Sequence, residues 1–159
     1  MSDLPILAEP REGVPPVVNT PDSLTHTCRA LSNGHGPIAI DTERAHGFRY
    51  SPRACLIQLR RDGSGTHLVD PLALGGAVGL KPLAKALAGT QWILHAATQD
   101  MPCLAMDGLR PDDLFDTELA GRLLNLPRVS LGPMVERYCG VTLLKAVSYT
   151  HLTLPTKRI

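Results

Sequence analysis

The stretch Pro37-Ile38-Ala39-Ile40-Asp41-Thr42-Glu43 decides the fold. Its apolar run predicts a buried β-strand, and strand alternation divides its side chains between two faces. One face carries Ala39, Asp41 and Glu43, and the other carries Ile38, Ile40 and Thr42. Neighbouring carboxylates in a half-buried setting repel each other, and a divalent cation such as Mg²⁺ or Mn²⁺ relieves that repulsion. The alternative for an isolated Asp-x-Glu is a strand that ends in a solvated acidic turn.

A third acidic residue lies where a second short strand gives way to a helix. Trp92-Ile93-Leu94-His95 predicts the strand, and Pro102 suits the first turn of a helix that begins near Gln99 or Asp100. Asp100 is therefore either a further acid of one site or an acid favoured at a helix N-terminus by the helix dipole.

Five sequence blocks follow one another between about Pro37 and Lys145. They are G-P-I-A-I-D-T-E, A-C-L-I-Q-L-R, H-L-V-D-P-L, W-I-L-H-A-A-T-Q-D-M-P-C-L and L-F-D-T-E-L-A-G-R-L-L. In this order they resemble the ribonuclease D branch of the DEDD 3′-5′ exonucleases, in an actinobacterial-like form. Each block alone is weak evidence, but five in the right order are specific.

The resemblance implies a catalytic site that uses two divalent cations, Mg²⁺ or Mn²⁺, roughly 4 Å apart. It assigns Asp41, Glu43 and Asp100 as catalytic residues and metal ligands, with Asp41 as the bridge between the ions. We expect these three carboxylates to converge at one end of the sheet, close enough to share a cation. It also assigns substrate contacts to Thr42, His95 and Gln99. For His95 a structural role, in which it satisfies neighbouring backbone, stays open.

The implied activity is the hydrolytic release of single nucleotides from a single-stranded 3′ end of RNA, such as that of a tRNA precursor. The same carboxylate pattern occurs in DNA 3′-5′ exonucleases, and a non-catalytic nucleic-acid-binding or interaction module is a further alternative. No protein partner is predicted. The net charge of +1 does not indicate a nucleic-acid partner by itself. A group of arginines after the acidic pair either contacts phosphates or lies in a solvated loop: Arg44, Arg49, Arg53, Arg60 and Arg61.

The family's third motif, a tyrosine followed four residues later by an aspartate, is absent from the sequence. Tyr138 belongs to the apolar face of a predicted helix and has no aspartate at that spacing. After Ala146 the chain resembles translated sequencing adapter. We therefore divide it into an irregular N-terminal arm (1–16), a partial 3′-5′ exonuclease domain (17–146) and a non-native tail (147–159). The chain as written is expected to be inactive.

The fold prediction is an α/β domain with a ribonuclease H-like mixed sheet, flanked by helices and incomplete at the C-terminus. Segments 38–43, 54–60 and 66–69 predict an antiparallel meander, and the following helix and strand add parallel pairing. Asp116 and Ser130 are expected to cap helices. No apolar run approaches the ~20 residues of a membrane span, the N-terminus lacks the features of a signal peptide, and four scattered cysteines suggest reduced thiols in a cytoplasmic protein.

Overall fold

A mixed six-stranded β-sheet is the frame of the molecule in the computed structural model, which describes residues 4–8, 10, 12–44 and 53–144. In chain order the strands are β1 (Ile6–Leu7), β2 (Val17–Val18), β3 (His35–Arg44), β4 (Ala54–Asp62), β5 (Gly65–Val69), β6 (Gln91–Leu94), β7 (Asp113–Asp116) and β8 (Thr142–Leu143). The spatial order of the main sheet is β2-β5-β4-β3-β6-β7. Strands β3, β4 and β5 pair antiparallel, whereas β6 pairs parallel with both β3 and β7. The predicted meander and the added parallel strands are therefore confirmed.

Five α-helices accompany the sheet in the described residues: α1 (Pro21–Asn33), α2 (Lys81–Leu87), α3 (Met101–Met106), α4 (Thr117–Leu123) and α5 (Leu131–Cys139). Helix α1 begins as its sequence predicts, because Thr20 and Ser23 form a reciprocal capping box and Pro21 occupies the first turn. A 3₁₀ turn at Ala97–Gln99 precedes α3. None of these helices is both long and apolar enough to cross a bilayer.

One hydrophobic core joins the inner face of the sheet to helices α1, α2 and α3. The sheet contributes Ile38, Ile40, Ile57, Leu59, Trp92 and Leu94, and the helices contribute Leu24, Leu31, Leu83, Leu87, Cys103 and Leu104. Each of these side chains is at most 5% exposed. This burial fixes the register of the central strands, because a slip by one residue would turn every buried side chain to the opposite face.

Two parts of the architecture differ from the sequence prediction. Residues Asp113–Asp116 form the edge strand β7, where the sequence predicted only a cap for the following helix. Within the arm predicted as irregular, β1 pairs parallel with β8 in a separate two-stranded sheet. The predicted non-native tail lies outside the described residues.

Candidate active site

Strand β3 separates its side chains as its sequence predicts. Ile38, Ile40 and Thr42 are buried, whereas Ala39, Asp41 and Glu43 are exposed. Because helices α1, α2 and α3 share the core with the buried side chains, Asp41 and Glu43 project from the opposite, open face of the sheet. The rigid central position of β3 therefore holds two carboxylates toward solvent.

A polar row crosses the open face at the level of Asp41. On one side, Gln58 of β4 pairs with Asp41, and its Nε2 donates a hydrogen bond to Asp41 Oδ2 at 3.3 Å. On the other side, the parallel register of β3, β6 and β7, continued past the last paired residues, places His95 beside Asp41 and Thr117 beside His95. His95 Nδ1 lies 2.9 Å from Thr117 Oγ1. We call Gln58, Asp41, His95 and Thr117 the polar row.

Asp100 approaches this site from the core side of β3. It stands just before α3, is only 6% exposed, and accepts a 2.5 Å hydrogen bond from the Thr42 hydroxyl. Cys103 Sγ lies 3.3 Å from the same hydroxyl and donates to the Asp100 carbonyl at 2.9 Å. Strand alternation sends Thr42 to the face opposite Asp41, so the Asp100 carboxylate is anchored on that inner side.

The expected convergence of three carboxylates around one cation is not observed in this arrangement. Among the residues that the structure describes, no group of three His, Cys, Asp or Glu side chains is placed to hold a metal ion. The Thr42 hydroxyl gives the buried Asp100 carboxylate a hydrogen-bond partner that solvent does not readily supply. The catalytic and metal-ligand roles of Asp41, Glu43 and Asp100 stay predictions.

The charges of Asp100 and Glu43 nevertheless affect the pKa of Asp41. Partial burial raises the pKa of Asp41 above its ordinary value, and the negative charges of Asp100 and Glu43 raise that pKa further. The Thr42 backbone N–H and the nearby His95 act in the opposite direction on the Asp41 pKa. Asp41 therefore stands in a field of negative charge, which is the environment that attracts a cation.

The three predicted substrate contacts have different surroundings. Thr42 is buried and its hydroxyl is engaged with Asp100, so its side chain is not available on the open face. His95 is half-buried and bonded to Thr117, whose hydroxyl also lies within hydrogen-bonding distance, 3.2 Å, of the Leu94 carbonyl. Gln99 is exposed at the end of the 3₁₀ turn. Only His95 and Gln99 thus keep exposed surface that a ligand could reach.

Two other acids near these strands have structural roles. Asp116 caps α4, as predicted, and accepts hydrogen bonds from the backbone N–H groups of Ala96, Ala97, Glu118 and Leu119. Burial alone would raise the pKa of Asp116, but these four N–H donors lower it below the ordinary value. Asp70 accepts from the N–H groups of Leu72 and Ala73 within its own turn.

The arginines after the acidic pair are partly engaged in structure. Arg60 forms an ion pair with Glu12 at 2.6 Å. Arg61 donates to the carbonyls of Gly36 and Leu31, and the second of these bonds satisfies the C-terminal end of α1. Arg49 lies outside the described residues.

Sequence reasoning missed Gln58 and Thr117. Gln58 is a polar residue in the otherwise apolar run Cys55-Leu56-Ile57-Gln58-Leu59, and this interruption was the available signal. Thr117 follows the capping Asp116 and looks like an ordinary helix-start residue. Both acquire a place in the site only through the strand register.

The residues on the open face have the chemistry that divalent cations prefer. Asp41 and Glu43 offer carboxylate oxygens, which are the hard ligands of Mg²⁺ and Mn²⁺. An ionised carboxylate has about four acceptor positions, so the bond from Thr42 leaves Asp100 with capacity to spare. The carboxylate oxygens of these acids are therefore suitable ligands for divalent cations, and those of Asp41 and Glu43 are accessible to solvent.

Comparison with known proteins identifies the family of this chain. The family model described as 3′-5′ exonuclease matches residues 15–154. The chain belongs to the 3′-5′ exonuclease family. This family is generally dependent on divalent metal ions. The matched range reaches into the segment that we predict to be non-native.

Proteins similar to this chain are longer than it is. Ribonuclease D from Zymomonas mobilis is 35% identical over 140 residues, which are 85% of this chain and 35% of that protein. A crystal structure of a protein from Bifidobacterium adolescentis is 42% identical, with a TM-score of 0.85, and covers 96% of this chain and 38% of its own. The structure of Escherichia coli RNase D is 34% identical, with a TM-score of 0.72, over 85% of this chain and 36% of its own. The chain thus spans little more than a third of these relatives.

Proposed function

We propose that the chain is the main part of the catalytic domain of a ribonuclease D-like 3′-5′ exoribonuclease. One observation carries this proposal. Asp41 and Glu43 project from the open face of a central strand while the charge of Asp100 reaches Asp41 from the inner side. The family match supplies the reaction class, and the curated relatives named ribonuclease D support RNA as substrate.

In this proposal the residues of the open face bind two divalent cations, Mg²⁺ or Mn²⁺. Such cations would supply activation of water and stabilisation of the departing 3′ oxygen of the penultimate nucleotide, so that the terminal nucleotide leaves with its 5′ phosphate. Asp41 and Glu43 hold them with carboxylate oxygens, and Asp100 adds negative charge from behind the strand. His95 and Gln99, which both keep exposed surface, are proposed to contact the nucleic acid. The substrate is a single-stranded 3′ end of RNA, with tRNA precursors as the class to test first.

The description of the Escherichia coli relative, an exoribonuclease involved in structured RNA processing, supports the choice of RNA over DNA. Cys28, Cys55, Cys103 and Cys139 are free thiols. Free thiols are the usual state in a reducing compartment. We therefore place the protein in the cytoplasm as part of the same proposal.

The test compares RNA and DNA substrates in a longer version of the protein that includes the third motif. Nucleotide release from matched single-stranded RNA and DNA, each labelled at the 3′ end, is measured with Mn²⁺ for the wild type and for Asp41→Asn. We expect release from RNA that Asp41→Asn abolishes. Faster release from DNA would support a DNA exonuclease instead. A wild-type protein that binds RNA but neither binds Mn²⁺ nor releases nucleotides would support the non-catalytic module.

The 159-residue chain by itself is proposed to release nucleotides slowly or not at all. The family mechanism uses a fourth carboxylate and a tyrosine, and no tyrosine in the sequence is followed four residues later by aspartate. Loss of one metal-ligand carboxylate removes several kcal/mol of transition-state stabilisation, and each 1.4 kcal/mol is about tenfold in rate. Robust release by this chain that disappears in Asp41→Asn would overturn this part of the proposal.

A further inference from the structure

Gln58 occupies the neighbouring position to Asp41 on the open face of the sheet. Its strand, β4, is bonded to β3 on one side and to β5 on the other, and Gln58 itself pairs with Asp41 and with Leu68. The residues before and after it, Ile57 and Leu59, are 0% and 1% exposed. The backbone of Gln58 is therefore fixed by two hydrogen-bond ladders and by the core.

In the hydrogen bond between Gln58 and Asp41, only the Gln58 amide nitrogen can be the donor. An ionised carboxylate can only accept, and the amide nitrogen of glutamine can only donate. The bond of 3.3 Å from Gln58 Nε2 thus engages Asp41 Oδ2, and Asp41 Oδ1 receives no bond from Gln58. Since the last torsion of an aspartate side chain is broad, a single donor on a fixed backbone favours one orientation of the carboxylate plane.

Packing of the sheet does not explain why the Gln58 amide is bonded to Asp41. Gln58 is half-buried, so its amide could be hydrated by solvent without any bond to Asp41. Groups that hydrogen-bond to metal-ligating carboxylates orient those ligands, and their removal usually weakens metal affinity by about 10- to 100-fold. The position of Gln58 matches that role.

We propose that Gln58 is a positioning residue that orients the Asp41 carboxylate for cation binding. This inference rests on the proposed function, because it requires Asp41 to be a metal ligand. Gln58 acts through Asp41 and does not itself contact the cation or the nucleic acid.

The chain contains a matched control for this inference. Gln91 of β6 makes the same kind of contact, since its Nε2 donates to Asp113 Oδ2 of the neighbouring strand at 2.9 Å. This pair lies at the opposite end of β6 from His95. Gln91→Met therefore breaks a cross-strand glutamine–aspartate bond in the same sheet, away from Asp41.

The experiment measures Mn²⁺ binding by calorimetry and unfolding by urea for the 159-residue chain. Gln58→Met keeps the length of the side chain without its donor, and Gln58→Thr keeps a polar, strand-favouring residue that is too short to reach Asp41. We expect both variants to raise the Mn²⁺ dissociation constant by about tenfold, with urea midpoints equal to that of Gln91→Met. Gln91→Met should keep the wild-type dissociation constant.

The outcomes separate this inference from the proposed function. If Asp41→Asn loses Mn²⁺ binding but both Gln58 variants keep the wild-type constant, the positioning role is wrong and the proposed site stands. If the wild type binds no Mn²⁺, or Asp41→Asn binds it as the wild type does, the proposed site fails and the inference fails with it. If both Gln58 variants are unfolded, Gln58 serves the fold and the positioning role is rejected.

Discussion

Replacing Thr42 with valine removes a hydroxyl that is bonded to a buried carboxylate while it keeps the shape of the side chain. Thr42 is 8% exposed and Asp100 is 6% exposed, so water does not readily replace the 2.5 Å hydrogen bond between them. A hydrogen bond to a charged group contributes about 1.5–3 kcal/mol, and a buried acceptor left without its partner costs a similar amount. We expect Thr42→Val to lower the free energy of unfolding by about 2 kcal/mol at pH 7.

Urea unfolding at pH 7 measures this loss against two controls. Thr42→Ser keeps the hydroxyl and should retain the bond to Asp100, with only the small cost of a lost methyl group. Thr90→Val changes another threonine that is 8% exposed, just before β6 and away from Asp100. A Thr42→Val protein that is no less stable than Thr90→Val would show that the hydroxyl does not hold Asp100. A double-mutant cycle of Thr42→Val with Asp100→Ala should give a coupling energy above about 0.5 kcal/mol.

Three further substitutions test the acids individually. Asp41→Asn should abolish Mn²⁺ binding without lowering the urea midpoint, because burial and two neighbouring carboxylates raise the pKa of Asp41 and make its charged form unfavourable; a lower midpoint would contradict this account. Asp116→Ala should cost about 1–2 kcal/mol at pH 7. Since the folded pKa of Asp116 lies below the ordinary value of 3.8, that stabilisation is present above pH 3.8 and lost as pH falls through the folded pKa, so the difference from wild type should shrink in urea titrations at pH 3. Asp107 is 1% exposed, and among the residues that the structure describes neither of its carboxylate oxygens has a hydrogen-bond partner. Burial raises the pKa of Asp107, although the charge of Arg53 lowers it in part. Asp107→Leu should therefore raise the free energy of unfolding by about 1–3 kcal/mol at pH 7. It should also lack the loss of stability that we expect of the wild type as pH rises above 3.8; an unchanged pH profile would mean that Asp107 is paired in solution.

The parts of the fold that the sequence predicted correctly depend on short-range patterns. The two faces of β3 follow from the alternation of Ile38, Ile40 and Thr42 with smaller or charged residues, and the burial of those three confirms it. The start of α1 follows from Thr20-Pro21 because the cap, the first-turn proline and the first apolar residue are all within one helical turn. In both cases the information needed lies within a few residues of the element.

The parts that were missed depend on contacts between segments far apart in the chain. Thr42 and Asp100 are 58 residues apart, so nothing local to either residue indicates their bond. Strand β7 is four residues long, and its pattern Asp-Leu-Phe-Asp is exposed or half-buried throughout. Without burial to impose a clear alternation, its sequence carries little strand signal, and its pairing with β6 fixes it instead. The polar row could not be predicted for the same reason, since it exists only in the register of four neighbouring strands.

The site has acidic side chains on both faces of β3, and this arrangement couples cation binding to the stability of the fold. Asp41 and Glu43 are on the open face, and the inward-pointing Thr42 between them fixes Asp100 on the other side of the same strand. The fold therefore keeps three negative charges near one another. Their repulsion destabilises the folded chain, and burial increases that destabilisation. A cation that binds the folded chain and not the unfolded one stabilises it by RT ln(1 + [L]/Kd), about 2.7 kcal/mol at a hundredfold excess over Kd. The three carboxylates repel one another only when β3 and α3 are folded. The same folded arrangement therefore both destabilises the chain and attracts the cation that relieves the repulsion.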